Sequence, residues 1–252
     1  MSPLAPPDQM EIDDIILHAR MADAGADGQS SRDGVARMIS PFSCNLRSIG
    51  VHVEGGLDVP TSFDVATIAD PVRTSPLAEP RLTAQGQAAF QSFGEVAPFH
   101  LSSMEMFEVR SGGEASAGRP AHCFATMSRE GFDWMPENLF IYSGCIPDGT
   151  ASFDINIPIA DEMQLISIQL GAGEEITGTL ALGGLKNGQS FLGASNIPPG
   201  AAGRTSQLST FDSLGGNKGP LVMGRGDYLQ MVSGGNAGLA GSHPFNVIFA
   251  RR

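Results

Sequence analysis

Over much of the chain, apolar and polar residues alternate with a period of two. In "LRSIGVHVEGG", Ile49, Val51 and Val53 alternate with Ser48, Gly50 and His52. In "TSFDVATIADP", Phe63, Val65 and Thr67 share one face, and "MEMFEVRSGG" is strand-like. "ASFDINIPIAD" sets Phe153, Ile155, Ile157 and Ile159 against Ser152, Asp154 and Asn156. Successive side chains of a strand point to opposite faces, so each segment predicts a strand with one buried side. Pro158 has no backbone donor and places its strand at an edge or an end. "MQLISIQL" alternates Ile166, Ile168 and Leu170 with Ser167 and Gln169, and "HPFNVIFARR" alternates Phe245, Val247 and Phe249 with Asn246 and Ile248. "EITGTLAL" and "LKNGQSFLG" form a predicted hairpin, with Asn187-Gly188 supplying the positive φ angles of a type I′ turn.

The N-terminal stretch follows a different period. "SPLAPP" favours an extended start. Ile12, Ile15, Ile16 and Ala19 fall at i, i+3, i+4 and i+7, which predicts a short helix with one apolar stripe. Asp8 is its candidate N-cap, acidic residues fill its early turns, and Gly25 ends it. The stripe packs either on its own domain or on a neighbouring subunit; in the second case it is a docking helix. "LTAQGQAAFQSF" also has the composition of a short helix.

These elements predict a mainly β chain: an antiparallel β-sandwich or jelly roll preceded by a short helix on an extended arm. The expected organisation is an arm and helix over residues 1–40, a β-rich middle over 41–128 and a C-terminal sandwich over 129–252. Helices that could cover a parallel sheet are missing from the pattern, which argues against an α/β fold.

Composition sharpens the functional side. The 252 residues carry a formal net charge of −12, with no offsetting basic cluster, which disfavours nucleic-acid binding. Only 17% are charged, and glycine is abundant at 32 residues, as in turn-rich β proteins and in proteins that bury much surface in assemblies. No apolar run approaches the length of a membrane-spanning helix, and the start lacks the pattern of a signal peptide, so a soluble product made in the cytoplasm is expected. Cys44, Cys123 and Cys145 are an odd set that allows one bridge at most and reads as buried thiols.

Candidate chemistry is sparse. His52 and Glu54 share a strand face and could begin a metal site, though an exposed polar edge explains them as well. His100, His122, Cys123 and Cys145 match no compact ligand spacing. Cys123 lies next to His122, but adjacent residues of a strand point apart, so the pair is no nucleophile and base. No G-x-S-x-G elbow and no phosphate-binding glycine loop is present. No cofactor, metal or catalytic residue is therefore expected. Phe132 and Trp134 in "REGFDWMPENLF" could form a sugar-binding platform or an apolar plug over the end of a sandwich. "GRGDY" contains the triplet Arg225-Gly226-Asp227, which could be an adhesion signal for a cell-surface receptor such as an integrin; a turn opening a strand accounts for every residue there, with Gly226 supplying an unusual φ and Asp227 bonding nearby backbone.

Residues 138–252 carry a resemblance. Ser143-Gly144, Ile155 with Ile157, Ile166 through Leu170, Asn187-Gly188 with Phe191, Tyr228-Leu229 with Ser233-Gly234, and Pro244 through Arg251 follow one another in the manner of a small β-sandwich. This module recurs in virion proteins of tailed bacteriophages. The resemblance implies a non-enzymatic structural protein of a virion: a capsid decoration, head-fibre or neck component. Its partners would be other virion proteins, capsid or connector, and further copies of itself, with a trimer favoured and neither nucleic acid nor membrane contacted. It would be assembled in the host cytoplasm and anchored by its N-terminal segment. The alternatives are a glycan- or receptor-binding module for host recognition and, third, a β-sandwich hydrolase.

Overall fold

The computed structural model describes residues 15–68, 74–76, 88–92, 99–115, 118–128, 139–146, 154–209, 221–234 and 243–251. Eighteen strands occur in this set: β1 (Ile15–Met21), β2 (Val35–Ile39), β3 (Cys44–Val53), β4 (Phe63–Thr67), β5 (Thr74–Pro76), β6 (Ala88–Ser92), β7 (Phe99–Leu101), β8 (Met106–Ser111) and β9 (Ala121–Ser128), followed by β10 (Leu139–Ile146), β11 (Asp154–Pro158), β12 (Met163–Gly171), β13 (Leu180–Lys186), β14 (Gln189–Ile197), β15 (Thr205–Ser209), β16 (Val222–Met223), β17 (Tyr228–Gly234) and β18 (His243–Arg251). One 3-10 turn, Arg32–Gly34, precedes β2.

The strands form four antiparallel sheets. Sheet I has the order β1-β9-β3-β6 with β7 also on β3, and sheet II the order β2-β8-β4-β5. Sheet III has the order β10-β18-β12-β15 with β16 also on β12, and sheet IV the order β11-β17-β13-β14. Adding nine to each label of sheets I and II gives sheets III and IV, including the short extra strand. With β6 and β7, and likewise β15 and β16, counted as one interrupted edge strand, each half has eight strands in two facing sheets whose order is that of a jelly roll. The chain is two jelly rolls in tandem.

Each roll has its own core. In the first, Leu17, Met21, Ile49, Val51 and Val53 from sheet I meet Val65, Phe107 and Val109 from sheet II. In the second, Leu165, Ile168, Leu170, Phe245, Val247 and Phe249 from sheet III meet Ile157, Leu180, Leu182, Leu229 and Met231 from sheet IV. These are the alternating apolar positions of the sequence, each side chain contributing roughly 1.5–3 kcal/mol of burial.

Residues 15–21 are strand, not helix. The helical stripe of Ile15, Ile16 and Ala19 competes with the alternating set Ile15, Leu17, Ala19 and Met21, and the alternating set is the one buried. β1 pairs along its whole length with β9, from Ile15 opposite Met127 to Met21 opposite Ala121. Tertiary pairing overrides the local period. Residues 15–39, expected as an arm and docking helix, instead supply β1 and β2 to the two sheets of the first roll. Ile12 and the expected cap lie outside the described residues. Residues 88–92, where helical composition was noted, form β6.

The hairpin between β13 and β14 turns at Asn187 and Gly188, with φ angles of 50° and 76°, as the Asn-Gly pair requires. β11, which carries Pro158, is an edge strand of sheet IV. Ile166 departs from the predicted alternation because a bulge between Leu165 and Ser167 shifts the register against β18.

Candidate assembly faces

With each core filled, what distinguishes the four sheets is what covers their outer faces. The outer face of sheet II lies against the outer face of sheet III. β2 is buried on both sides: Ala36 and Met38 face the first core, and Val35, Arg37 and Ile39 face outward and are buried too. On the opposing sheet, Leu139 and Ile141 of β10 turn away from their own core and pack against the first.

The seam is polar at its centre. Asn246 and Gln169, each 1% exposed, are register partners on β18 and β12. Asn246 Nδ2 donates to Ile39 O at 2.9 Å and to Gln169 Oε1 at 3.0 Å, while Gln169 Nε2 donates to Pro41 O at 2.8 Å. Gly171 brings the sheets close, since a Cβ there would overlap Met106 Sδ and lie 3.1 Å from Ile39 Cδ1. At the edge, His18 N donates to Ser143 Oγ at 2.8 Å and Ser143 Oγ donates to His18 O at 3.2 Å. The hydroxyl thus satisfies the outward-pointing backbone of an edge strand.

A charged cleft of about 630 Å³ opens beside this seam. Its floor spans two adjacent rows of sheet II. Arg37 faces Glu108 at 3.2 Å, Arg110 pairs with the other oxygen of Glu108, and Asp64 is the register partner of Arg110. Glu174, from the second roll, accepts from Arg37 Nη2 at 2.6 Å. Burial raises the Asp64 pKa, opposed by the Arg110 cation and assisted by Glu108. The cleft holds equal numbers of cationic and anionic groups, and its chemistry is that of an ion-pair network joining the rolls.

The outer faces of sheets I and IV carry exposed hydrophobic residues. On sheet I, cross-strand rows run Arg20, His122, His52; then His18, Phe124, Gly50; then Ile16, Thr126, Ser48. Ile16 is 60% exposed and Phe124 42%. On sheet IV the rows are Asp154, Val232, Gly183; then Asn156, Gln230, Leu185; then Pro158 and Tyr228. Tyr228 is 37% exposed, and Gln230 Nε2 donates to Asp154 Oδ2 at 2.7 Å. Exposed aromatic and aliphatic side chains set among few charges are the composition of an interaction face.

The residues singled out in the sequence distribute as follows. Ile15 and Ala19 are buried in the first core and Ile16 points outward, so they form no common stripe. Phe132 and Trp134 lie outside the described residues. Glu54 is bonded by His122 Nε2 at 2.8 Å, not by its strand neighbour His52. His18 Nε2 meets His122 Nδ1 at 3.0 Å, a contact that sequence reading missed because 104 residues separate the two. His100 is engaged by Asn45 and Ser43. Among the described residues, no group of three or more His, Cys, Asp or Glu is placed to hold a metal ion. The three cysteines are free thiols; burial pushes Cys44 up to about 11 and Cys123 up to about 12, leaving both protonated. In the "GRGDY" turn, Asp227 N donates to Gly224 O and Gly226 has a φ of 91°. Both carboxylate oxygens of Asp227 are occupied, by Asn187 Nδ2 at 2.7 Å and by Gly224 N and Lys186 Nζ at 2.9 and 3.0 Å.

No protein-family model and no curated protein matches the chain. Similar solved structures include the major capsid protein P2 of bacteriophage PM2, at 9% identity and a TM-score of 0.28, covering 94% of this chain and 98% of that one. PBCV-1 Vp54, solved and fitted into a reconstruction of the virophage Sputnik, is 8% identical with a TM-score of 0.25, covering 94% of each chain. PNGF-II is 7% identical with a TM-score of 0.29, covering 93% of this chain and 65% of that one. The double jelly roll itself rests on the strand order and register given above.

Proposed function

We propose that the chain is a non-enzymatic virion structural protein whose two rolls are adjacent members of a ring built from several copies. The observation that carries this is the seam between the rolls. It joins two different faces, the sheet II type to the sheet III type, and is therefore heterologous, like a head-to-tail contact between subunits. The same pair of faces recurs at the free ends: sheet IV is the sheet II of the second roll, and sheet I is the sheet III of the first. Repeating the internal contact from one chain to the next sets sheet IV of one copy on sheet I of another. Such contacts close when the rotation per roll divides a full turn, and three chains then present six rolls. Ile16, Phe124 and Tyr228 lie on the faces that this contact covers.

The reading departs from the sequence expectation in one respect. Docking by an apolar helical stripe at Ile15, Ile16 and Ala19 is replaced by docking through sheet faces. A decoration, head-fibre or neck position, implied by the resemblance, is the narrower form of the same proposal and would use the same faces. Negative-stain electron microscopy of the purified protein at high concentration tests it. Rings with six lobes support the proposal, and single two-lobed particles at every concentration oppose it.

A further inference from the structure

The uncovered face of sheet I holds a hydrogen-bonded chain that runs from its edge strand inward. His122 Nε2 lies 2.8 Å from Glu54 Oε1, and His122 Nδ1 lies 3.0 Å from His18 Nε2. A carboxylate only accepts, so His122 carries its hydrogen on Nε2 and its Nδ1 is an acceptor. The hydrogen between the histidines therefore belongs to His18 Nε2. With both rings neutral, every contact in the chain pairs one donor with one acceptor. The ring planes lie within 20° of each other with centroids 5.3 Å apart, so the rings meet edge to edge along this contact, and His18 lies 4.9 Å from the Phe124 ring.

One added proton can be accommodated. An imidazolium at His122 donates to Glu54 and, if His18 shifts its hydrogen to Nδ1, to His18 Nε2 as well. A second proton cannot, because two N–H groups then face each other across 3.0 Å and two cations meet edge to edge. The surrounding charges do not relieve this. Arg20 is the register partner of His122 on β1, His52 is its partner on β3, and the Arg119 guanidinium lies beside Gly55. All are cationic or can become so, and Glu54 is already engaged. From β10, the second roll offers the hydroxyl of Ser143 to the His18 backbone.

We infer that the His18–His122 pair is an acid-sensitive clamp on β1: neutral, it holds this edge strand to β9 and to the second roll, and double protonation releases it. Burial and the neighbouring His122 both lower the His18 pKa, in agreement with a site that resists its second proton. Its consequence for assembly rests on the ring proposal, because β1 presents Ile16 and His18 to the covered face. The clamp itself acts within a single chain.

Amide hydrogen exchange on the dilute full chain tests it, at about pH 7.5 and about pH 5 and corrected for intrinsic rates. Protection of residues 16–21 is expected to fall about tenfold more than that of β8 on acidification. His18→Gln keeps an N–H donor toward His122 but cannot protonate, and should abolish the excess loss. A loss in β1 no greater than in β8, or one retained in His18→Gln, overturns the clamp. Should His18→Gln not fold, the wild-type imidazole NMR titration decides. Two well-separated steps shared by His18 and His122 support the clamp, and two independent single steps overturn it. Because exchange is read on isolated chains, it can succeed or fail independently of ring formation.

Discussion

Asn246 and Gln169 stand opposite each other on β18 and β12, 3.0 Å apart, and each reaches into the other roll for a backbone carbonyl. Neither touches solvent. Asn246→Ala leaves Ile39 O and Gln169 Oε1 without this donor in a buried site, and a lost buried hydrogen bond of this kind costs about 1–3 kcal/mol. Urea unfolding should show that loss. The double variant with Gln169→Ala should cost less than the sum of the singles, because the two side chains form one network.

Gly171 sets the spacing of the same seam. Gly171→Val places a side chain where Met106 Sδ and Ile39 Cδ1 lie, and overpacking should cost about 1–3 kcal/mol in chemical denaturation. Met106→Ala in the same chain makes room and should recover part of the loss.

Asp23 joins the start of the β1–β2 connection to the segment leading into β9. Its carboxylate accepts from the backbone N–H groups of Gly25, Arg119 and Gly118 at 2.8–3.0 Å. Burial opposes its charge, yet the three donors outweigh that and hold its pKa below the ordinary 3.8. A depressed carboxylate stabilises the folded state above its unfolded pKa and loses that contribution as pH falls through the folded value. Asp23→Ala should lower stability by about 0.5–1 kcal/mol at neutral pH, its hydrogen bonds being solvent-screened, and flatten the acid limb of thermal melts below about pH 4.

Asp227 tests the "GRGDY" reading. Hydrogen bonds from Asn187 and Gly224, with Lys186 beside it, depress its pKa to about 2. Its contribution is present above 3.8 and is lost as pH falls toward about 2. Asp227→Asn should lower the melting temperature at neutral pH and close that gap under acid. Adhesion to integrin-bearing cells should be absent in wild type and unchanged in Asp227→Glu, since the wild-type carboxylate is spent on its own turn.

Much of the β framework was legible because one face of each strand is apolar and the period of two is short-range information. Ile49, Val51 and Val53, or Phe245, Val247 and Phe249, needed no knowledge of their partners. The Asn187-Gly188 turn was legible for the same local reason. β1 was not, because the run around Ile15 and Ala19 satisfies both periods, and only pairing with β9 about a hundred residues away selects the strand. Gln169 and Asn246 have the polar identity of a solvent face, and alternation alone cannot separate solvent from a second roll. The tandem architecture was hidden because the rolls share strand order rather than residues. The histidine chain was hidden because His18 and His122 come from two strands, and Glu54 from the turn after a third, that meet only in the folded sheet.

The ring proposal is tested most directly by sedimentation equilibrium of the wild-type chain beside Ile16→Asp/Phe124→Asp, both of whose substitutions lie on the exposed face of sheet I and outside either core. The account predicts a wild-type mass three times that of the 26.3 kDa chain and a folded monomer for the variant. A wild type that remains monomeric at every concentration, or a variant that assembles as the wild type does, would contradict it.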